Sequence, residues 1–194
     1  MNPLTSITGT IISGFVLAIL IVLGLGTTSF NLWALEVWFH VMAGVVWIGL
    51  LYYFNFVQVP AVGQALAEKE PGPAAINKYV APRALLWFRW GALATWLTGA
   101  AALETMPGSS IVGAFTLSEG LATIGIGAWL GTIMLFNVWG LIWPNQKKIL
   151  GIVQASAEEI ASAKKIALMA SRTNTLLSIP MLLCMTGHAH GLPF

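Results

Sequence analysis

The sequence predicts an all-α integral membrane protein, a helical bundle of about five transmembrane helices forming a single domain over residues 1–194. Of its 194 residues, 57% are hydrophobic and only 8% are charged, whereas about one quarter of the residues in a soluble domain are charged. Apolar runs of roughly 20 residues recur, and each could cross a hydrocarbon layer of about 30 Å as a helix. The net charge of +2 is too small to indicate a nucleic-acid partner.

The first two apolar runs predict the first two spans. No Lys or Arg precedes the first run and no small-residue cleavage pattern follows it, so it is predicted to be retained as a helix. The second run, NLWALEVWFHVMAGVVWIGLLYYFNFVQVP, leads into a polar loop in which Pro71, Pro73 and Pro82 act as breakers.

The remaining spans are delimited by proline and by a capping signal. The third follows Pro82, and the fourth is predicted to end at Pro144. Ser156 and Glu159 have the spacing of a capping box that opens an alanine-rich helix outside the membrane. The last span contains Pro180, which is predicted to bend it. The predicted spans are about 7–24, 31–58, 83–103, 117–143 and 173–188, with the additional cytoplasmic helix at about 157–171.

Basic residues predict the orientation of the bundle. Two of the connecting loops carry the Lys and Arg residues and the opposite loops carry none, so the basic side is expected to be cytoplasmic. An odd number of spans then places the N-terminus in the cytoplasm and the C-terminus on the opposite, periplasmic side of the membrane. The residues at the basic side are Lys69, Lys78, Arg83, Arg89, Lys147, Lys148, Lys164, Lys165 and Arg172.

The three histidines fall on the opposite side, and they predict a haem site. An ionisable side chain inside a membrane span is costly and therefore indicates function. Two histidines from different helices of a bundle are the usual axial pair of a b-type haem, whereas the single Cys184 excludes a CxxCH attachment site. Gly44 would let a flat macrocycle lie against its helix, and Trp47 closes the next turn. The predicted haem site comprises His40, one of His188 and His190, Gly44 and Trp47.

Other interpretations of these residues remain open. His40 could pair with Glu36 one turn earlier as a structural or proton-handling pair, and His188-Ala189-His190 could bind a small metal ion with a third ligand. Arg89 could snorkel, stack on Trp90, or contact an anionic substrate or lipid. Asn137 is expected to make an interhelical hydrogen bond.

Four segments resemble the membrane-embedded N-terminal domain of the bacterial cytochrome c-linked urate hydroxylases, the urate oxidase N-terminal domain family. They are FHVMAGVVWIGLLYYF (39–54), WFRWGALATWLTG (87–99), GTIMLFNVWGLIWPNQKKI (131–149) and SRTNTLLSIPMLLCMTGHAH (171–190). The chain departs from the family pattern at Gly91, where an acidic residue is usual, and at Thr173, where a histidine is usual.

The resemblance implies an oxidoreductase module that passes electrons outward to cytochrome c. Family members carry a cytochrome c domain after this bundle, so we expect a partner with a c-type haem to take its place here. The leading hypothesis is a membrane protein with haem b that transfers electrons at the periplasmic side. The alternatives are a truncated urate or purine hydroxylase and a non-catalytic accessory subunit of a respiratory or photosynthetic complex.

Overall fold

The computed structural model describes residues 2–26 and 29–193, which form helices and no strand. The predicted all-α class is therefore confirmed for this part of the chain. Three helices are continuous with short π-helical segments, which we call the first, second and third π segments: Phe54–Gln58, Ile76–Val80 and Asn137–Ile142. The α-helices are α1 (Ile7–Leu25), α2 (Leu32–Tyr53), α3 (Val59–Glu68), α4 (Ala81–Thr105), α5 (Ile111–Phe115), α6 (Ala122–Phe136), α7 (Trp143–Ile149) and α8 (Ala157–His190).

Four of the described helical stretches are long and apolar enough to cross a membrane, which confirms the membrane class. They are Ile7–Leu25, Leu32–Glu68, Ala122–Ile149 and Ala157–His190. The predicted third span, α4, is 25 residues long but is not among the four. Its tryptophan, threonine and glycine residues, together with Arg89, dilute its apolar character.

The chain divides into two compact units, residues 1–32 and residues 33–194. In the first unit, α1 begins after Ser6, whose Oγ accepts a hydrogen bond from the Gly9 N–H at 3.1 Å. This is the usual way in which serine caps a helix N-terminus.

The second unit is a bundle of α2, α4, α6 and α8 in which paired contacts define the helix directions. Trp96 Nε1 donates to Thr132 Oγ1 at 2.9 Å, and Trp139 Nε1 donates to the Arg89 carbonyl at 3.2 Å, so the chain from α6 into the third π segment runs antiparallel to α4. The buried core of this bundle draws on all four helices and includes Trp47, Leu51, Phe88, Ala92, Met134, Val138, Ala170 and Met181.

The prediction that Pro82 and Pro144 interrupt the helices is wrong, and the loop predicted from residue 61 begins as helix α3. Pro60, Pro82 and Pro144 each stand two residues after the end of a π segment, inside a continuing helix. The residue before each proline bonds five residues back, as in Trp143 N–H to the Val138 carbonyl. A proline lacks the N–H and clashes with the carbonyl four residues back. The wider π turn admits an extra residue there, so the helix continues.

The two helices predicted at 157–171 and 173–188 form one continuous helix, α8. The capping box at its start is confirmed, because Ser156 Oγ accepts from the Glu159 N–H at 3.2 Å and the Glu159 carboxylate accepts from the Ser156 N–H at 2.8 Å. No helix-breaking residue separates Ser171 from Thr173. The helix that was expected to end at the membrane surface therefore continues without interruption into the predicted last span.

Candidate functional site

His40 on α2 is held by the backbone of α4. Its Nδ1 lies 2.8 Å from the carbonyl oxygen of Thr95. A carbonyl oxygen only accepts hydrogen bonds, so Nδ1 carries the proton and Nε2 keeps its lone pair. None of the described residues forms a hydrogen bond with Nε2. The imidazole is therefore anchored at one nitrogen and available for a ligand at the other.

Gly99 makes room for this imidazole. A Cβ atom at Gly99 would lie 2.7 Å from His40 Cε1 and 2.9 Å from Nδ1, closer than side-chain atoms pack. Gly99 follows Thr95 by one helical turn, so the carbonyl and the glycine lie on one face of α4. Neither residue was predicted from the sequence, since Thr95 acts through its backbone carbonyl and Gly99 has no side chain.

The alternative pairing of His40 with Glu36 is not formed in the structure. The carboxylate of Glu36 accepts a hydrogen bond from Thr105 Oγ1 on α4, while His40 bonds to Thr95. Two polar side chains one turn apart on α2 therefore bond separately to α4.

Gly44 and Trp47 also face α4. A Cβ at Gly44 would lie 3.8 Å from Thr95 Cγ2, an ordinary van der Waals distance. Trp47 is 2% exposed, and a Cβ at Gly91 would lie 3.5 Å from its backbone nitrogen. These glycines allow α2 and α4 to approach closely on the side where Gly44 was expected to face a macrocycle.

His188 and His190 lie in the last turn of α8, His188 half-buried and His190 exposed. The preceding turns pack on α6, where a Cβ at Gly127 would lie 3.1 Å from Cys184 Cβ and 3.2 Å from Met185 Cε. The choice between these two histidines as a ligand stays a prediction.

The register of α2 and α8 places His40 and His188 at a similar height in the bundle. Tyr52 Oη lies 3.0 Å from Ser178 Oγ, and Asn55 Nδ2 donates to Ser171 Oγ at 2.8 Å, so the two helices run antiparallel. His40 precedes Tyr52 by twelve residues and His188 follows Ser178 by ten, about 18 Å and 15 Å at 1.5 Å per residue. Both histidines therefore lie toward the same end.

This geometry bears on whether the residues fit a haem. With the proton on Nδ1, Nε2 of His40 has a lone pair that can bind a metal ion. Its hydrogen bond to a carbonyl is the support that metal-ligating histidines commonly have. A second histidine lies at a similar height on α8. No group of three or more His, Cys, Asp or Glu side chains that could hold a metal ion occurs in the described part of the chain. His40 and one of the two histidines of α8 are the residues that would hold a haem, and this assignment stays a prediction.

A buried polar cluster joins the third π segment to α8. Asn137 Nδ2 donates to Asn174 Oδ1 at 2.8 Å, and Asn174 Nδ2 donates to the Met134 carbonyl at 2.9 Å. The interhelical hydrogen bond expected of Asn137 is confirmed. Asn174 and Ser178 are fully buried and were missed, although with Ser171 they recur at helical spacing on one face of α8.

Arg89 stacks on Trp143 and not on Trp90, the partner in one of the open interpretations. Its Cζ lies 3.8 Å from the ring centroid of Trp143 on α7. Trp90 packs edge-on against Trp139, with ring centroids 5.3 Å apart. The ring that stacks on the guanidinium thus comes from a helix distant in sequence.

Comparison with known proteins connects part of this structure to one family. The family model described as urate oxidase N-terminal matches residues 106–194, a little under half of the chain. No curated protein and no solved structure matches the chain. The match contains α6, α7 and α8 with Asn137, Asn174 and the last two histidines; His40 and Arg89, with segments 39–54 and 87–99, lie outside it. Over residues 106–194, the resemblance to the urate oxidase N-terminal family predicted from the sequence is therefore confirmed.

Proposed function

We propose that this protein is the membrane module of a urate-hydroxylase-related oxidoreductase in the inner membrane of a bacterium. The observation that carries the proposal is the family match over residues 106–194. The buried polar side chains Asn137, Asn174 and Ser178 lie within the matched segment and inside two of the candidate membrane spans. The hydrogen bonds of Asn137 and Asn174 join α6 and the third π segment to α8, so the matched segment packs as one unit.

The reaction would require an electron acceptor. Hydroxylation of urate with the oxygen atom of water releases two protons and two electrons for each urate consumed. A c-type cytochrome accepts one electron, so two molecules of ferricytochrome c would be reduced. Such a cytochrome is the partner that the resemblance implies.

The test is urate-dependent reduction of ferricytochrome c by the full chain, purified in lipid nanodiscs after expression with haem supplied. We expect two cytochromes reduced per urate consumed, measured from the reduced α-band and from the loss of urate absorbance. Matched reactions without urate or without the protein provide the controls. A haem-loaded preparation that gives no urate-dependent reduction would contradict the proposal.

A second candidate function is electron transfer through a b-type haem, and the geometry of His40 favours it. The Thr95 carbonyl holds the Nδ1 proton and leaves Nε2 free as a ligand. His188 or His190, at a similar height on α8, would be the second axial ligand. A haem bound there would accept and release single electrons.

Oxidised and dithionite-reduced spectra test this second candidate. We expect a Soret band and a reduced α-band in the purified protein, both strongly diminished in His40→Ala and in one of His188→Ala and His190→Ala. The unaffected variant of the latter pair serves as the matched control. A wild-type protein that shows no Soret band after expression with haem would exclude this function.

A further inference from the structure

Arg89 contacts tryptophans from another part of the chain through both its side chain and its backbone. Its guanidinium stacks on Trp143 at 3.8 Å, and its carbonyl accepts a hydrogen bond from Trp139 Nε1 at 3.2 Å. Trp139 in turn packs edge-on against Trp90. Trp143 therefore restricts the orientation of the Arg89 side chain, while Trp139 bonds the backbone of the same residue.

The Arg89 guanidinium nevertheless lacks a hydrogen-bond acceptor among the described residues. The salt bridge found in that part of the chain joins Lys148 to Glu159 and does not involve Arg89. Arg83, two turns earlier, differs in this respect, because its Nη1 donates to the Tyr79 carbonyl at 2.6 Å. The guanidinium has five N–H donors and no acceptor in the described part of the chain, and the residue is partly exposed, so these donors are accessible to an anion.

The position of Arg89 indicates where such an anion would come from. Arg89 lies eight residues after Ala81, about 12 Å along α4 at 1.5 Å per residue. The flanking Trp87 and Trp90 are 62% and 52% exposed on the outside of the bundle. Exposed tryptophans of membrane helices concentrate at the level of the lipid headgroups, so the open side of Arg89 faces lipid.

We propose that Arg89 binds the phosphate of an anionic phospholipid. Guanidinium groups bind phosphate oxygens through two parallel hydrogen bonds, and the stack on Trp143 presents the edge of the group for this contact. Lys147, one turn beyond Trp143, adds a second positive charge on that side of α7. This charge favours a lipid with net negative charge over a zwitterionic lipid.

The test compares thermal unfolding of the full chain in nanodiscs of phosphatidylglycerol and of phosphatidylcholine. Saturating a specific lipid site would raise the wild-type Tm in phosphatidylglycerol by about 5 °C or more. Arg89→Gln should lose most of this shift, whereas the matched control Arg83→Gln should keep it. Equal shifts in Arg89→Gln and wild type would overturn the proposal.

Two further measurements distinguish lipid binding from a folding defect and from a site for free anions. If Arg89→Gln does not fold, Arg89→Lys retains the charge without the planar fork and should show less than half of the wild-type shift; a full shift in Arg89→Lys would count against the proposal. Inorganic phosphate or urate added to the phosphatidylcholine sample should leave the Tm unchanged. A rise of several degrees with either would identify a free-anion site and overturn the assignment to lipid.

Discussion

Asn174 and His40 are both polar side chains inside a membrane bundle, but they differ in the hydrogen bonds that the protein leaves open. Both amide atoms of Asn174 are bonded, to Asn137 and to the Met134 carbonyl, and the residue is fully buried. His40 has one ring nitrogen bonded to Thr95, and no described residue bonds the other. The comparison separates a group whose partners are all internal, which stabilises the bundle, from a group with one ring nitrogen that no described residue bonds.

The largest effect is expected from Asn174→Ala. This change leaves Asn137 Nδ2 buried without an acceptor, and such a loss costs about 1–3 kcal/mol of the free energy of unfolding. The Tm of the detergent-solubilised protein should fall by several degrees. Asn145→Ala is the control, because Asn145 bonds only the Leu141 carbonyl of its own helical stretch. An Asn174→Ala protein as stable as the control would show that the buried hydrogen bonds of Asn174 do not stabilise the bundle.

The next effect concerns ligand binding at His40 and not stability. In Gly99→Ala the new Cβ would lie 2.7 Å from His40 Cε1 and 2.9 Å from Nδ1, so the imidazole must shift, and we expect its hydrogen bond to the Thr95 carbonyl to weaken. Loss of such a supporting contact lowers metal affinity by about 10–100-fold, and haem titration should show this. Gly131→Ala is the matched control, because its Cβ would meet nothing within 4 Å. Unchanged haem affinity in Gly99→Ala would contradict the proposal that His40 is a haem ligand.

The smallest effect is expected from Tyr52→Phe. The hydroxyl of Tyr52 bonds Ser178 Oγ at 3.0 Å, but Ser178 keeps its hydrogen bond to the Thr175 carbonyl at 2.7 Å. We expect a loss of about 0.5–1.5 kcal/mol in chemical unfolding. Tyr79→Phe, at an exposed position, provides the reference. A loss larger than that of Asn174→Ala would show that the contact between α2 and α8 dominates the stability of the bundle.

Prolines illustrate where prediction from the sequence fails. Pro82 and Pro144 were predicted to interrupt helices, since proline removes an N–H and clashes with the carbonyl one turn back. In the structure a π segment precedes each of them and relieves the clash. Proline marks the position in the sequence, but proline alone does not distinguish a helix that ends from a helix that continues through a π turn.

The sequence by itself determined the membrane class, most of the helices, the capping box of α8 and the three histidines as candidate ligands. Apolar runs and capping residues act locally, so their consequences can be predicted from neighbouring residues alone. The tertiary structure decided that His40 bonds the Thr95 carbonyl, that Gly99 accommodates its ring, and that Arg89 stacks on Trp143. Every residue has a backbone carbonyl, and a glycine matters only for what packs against it. Which carbonyl or glycine contacts a given side chain therefore depends on how the helices pack against each other.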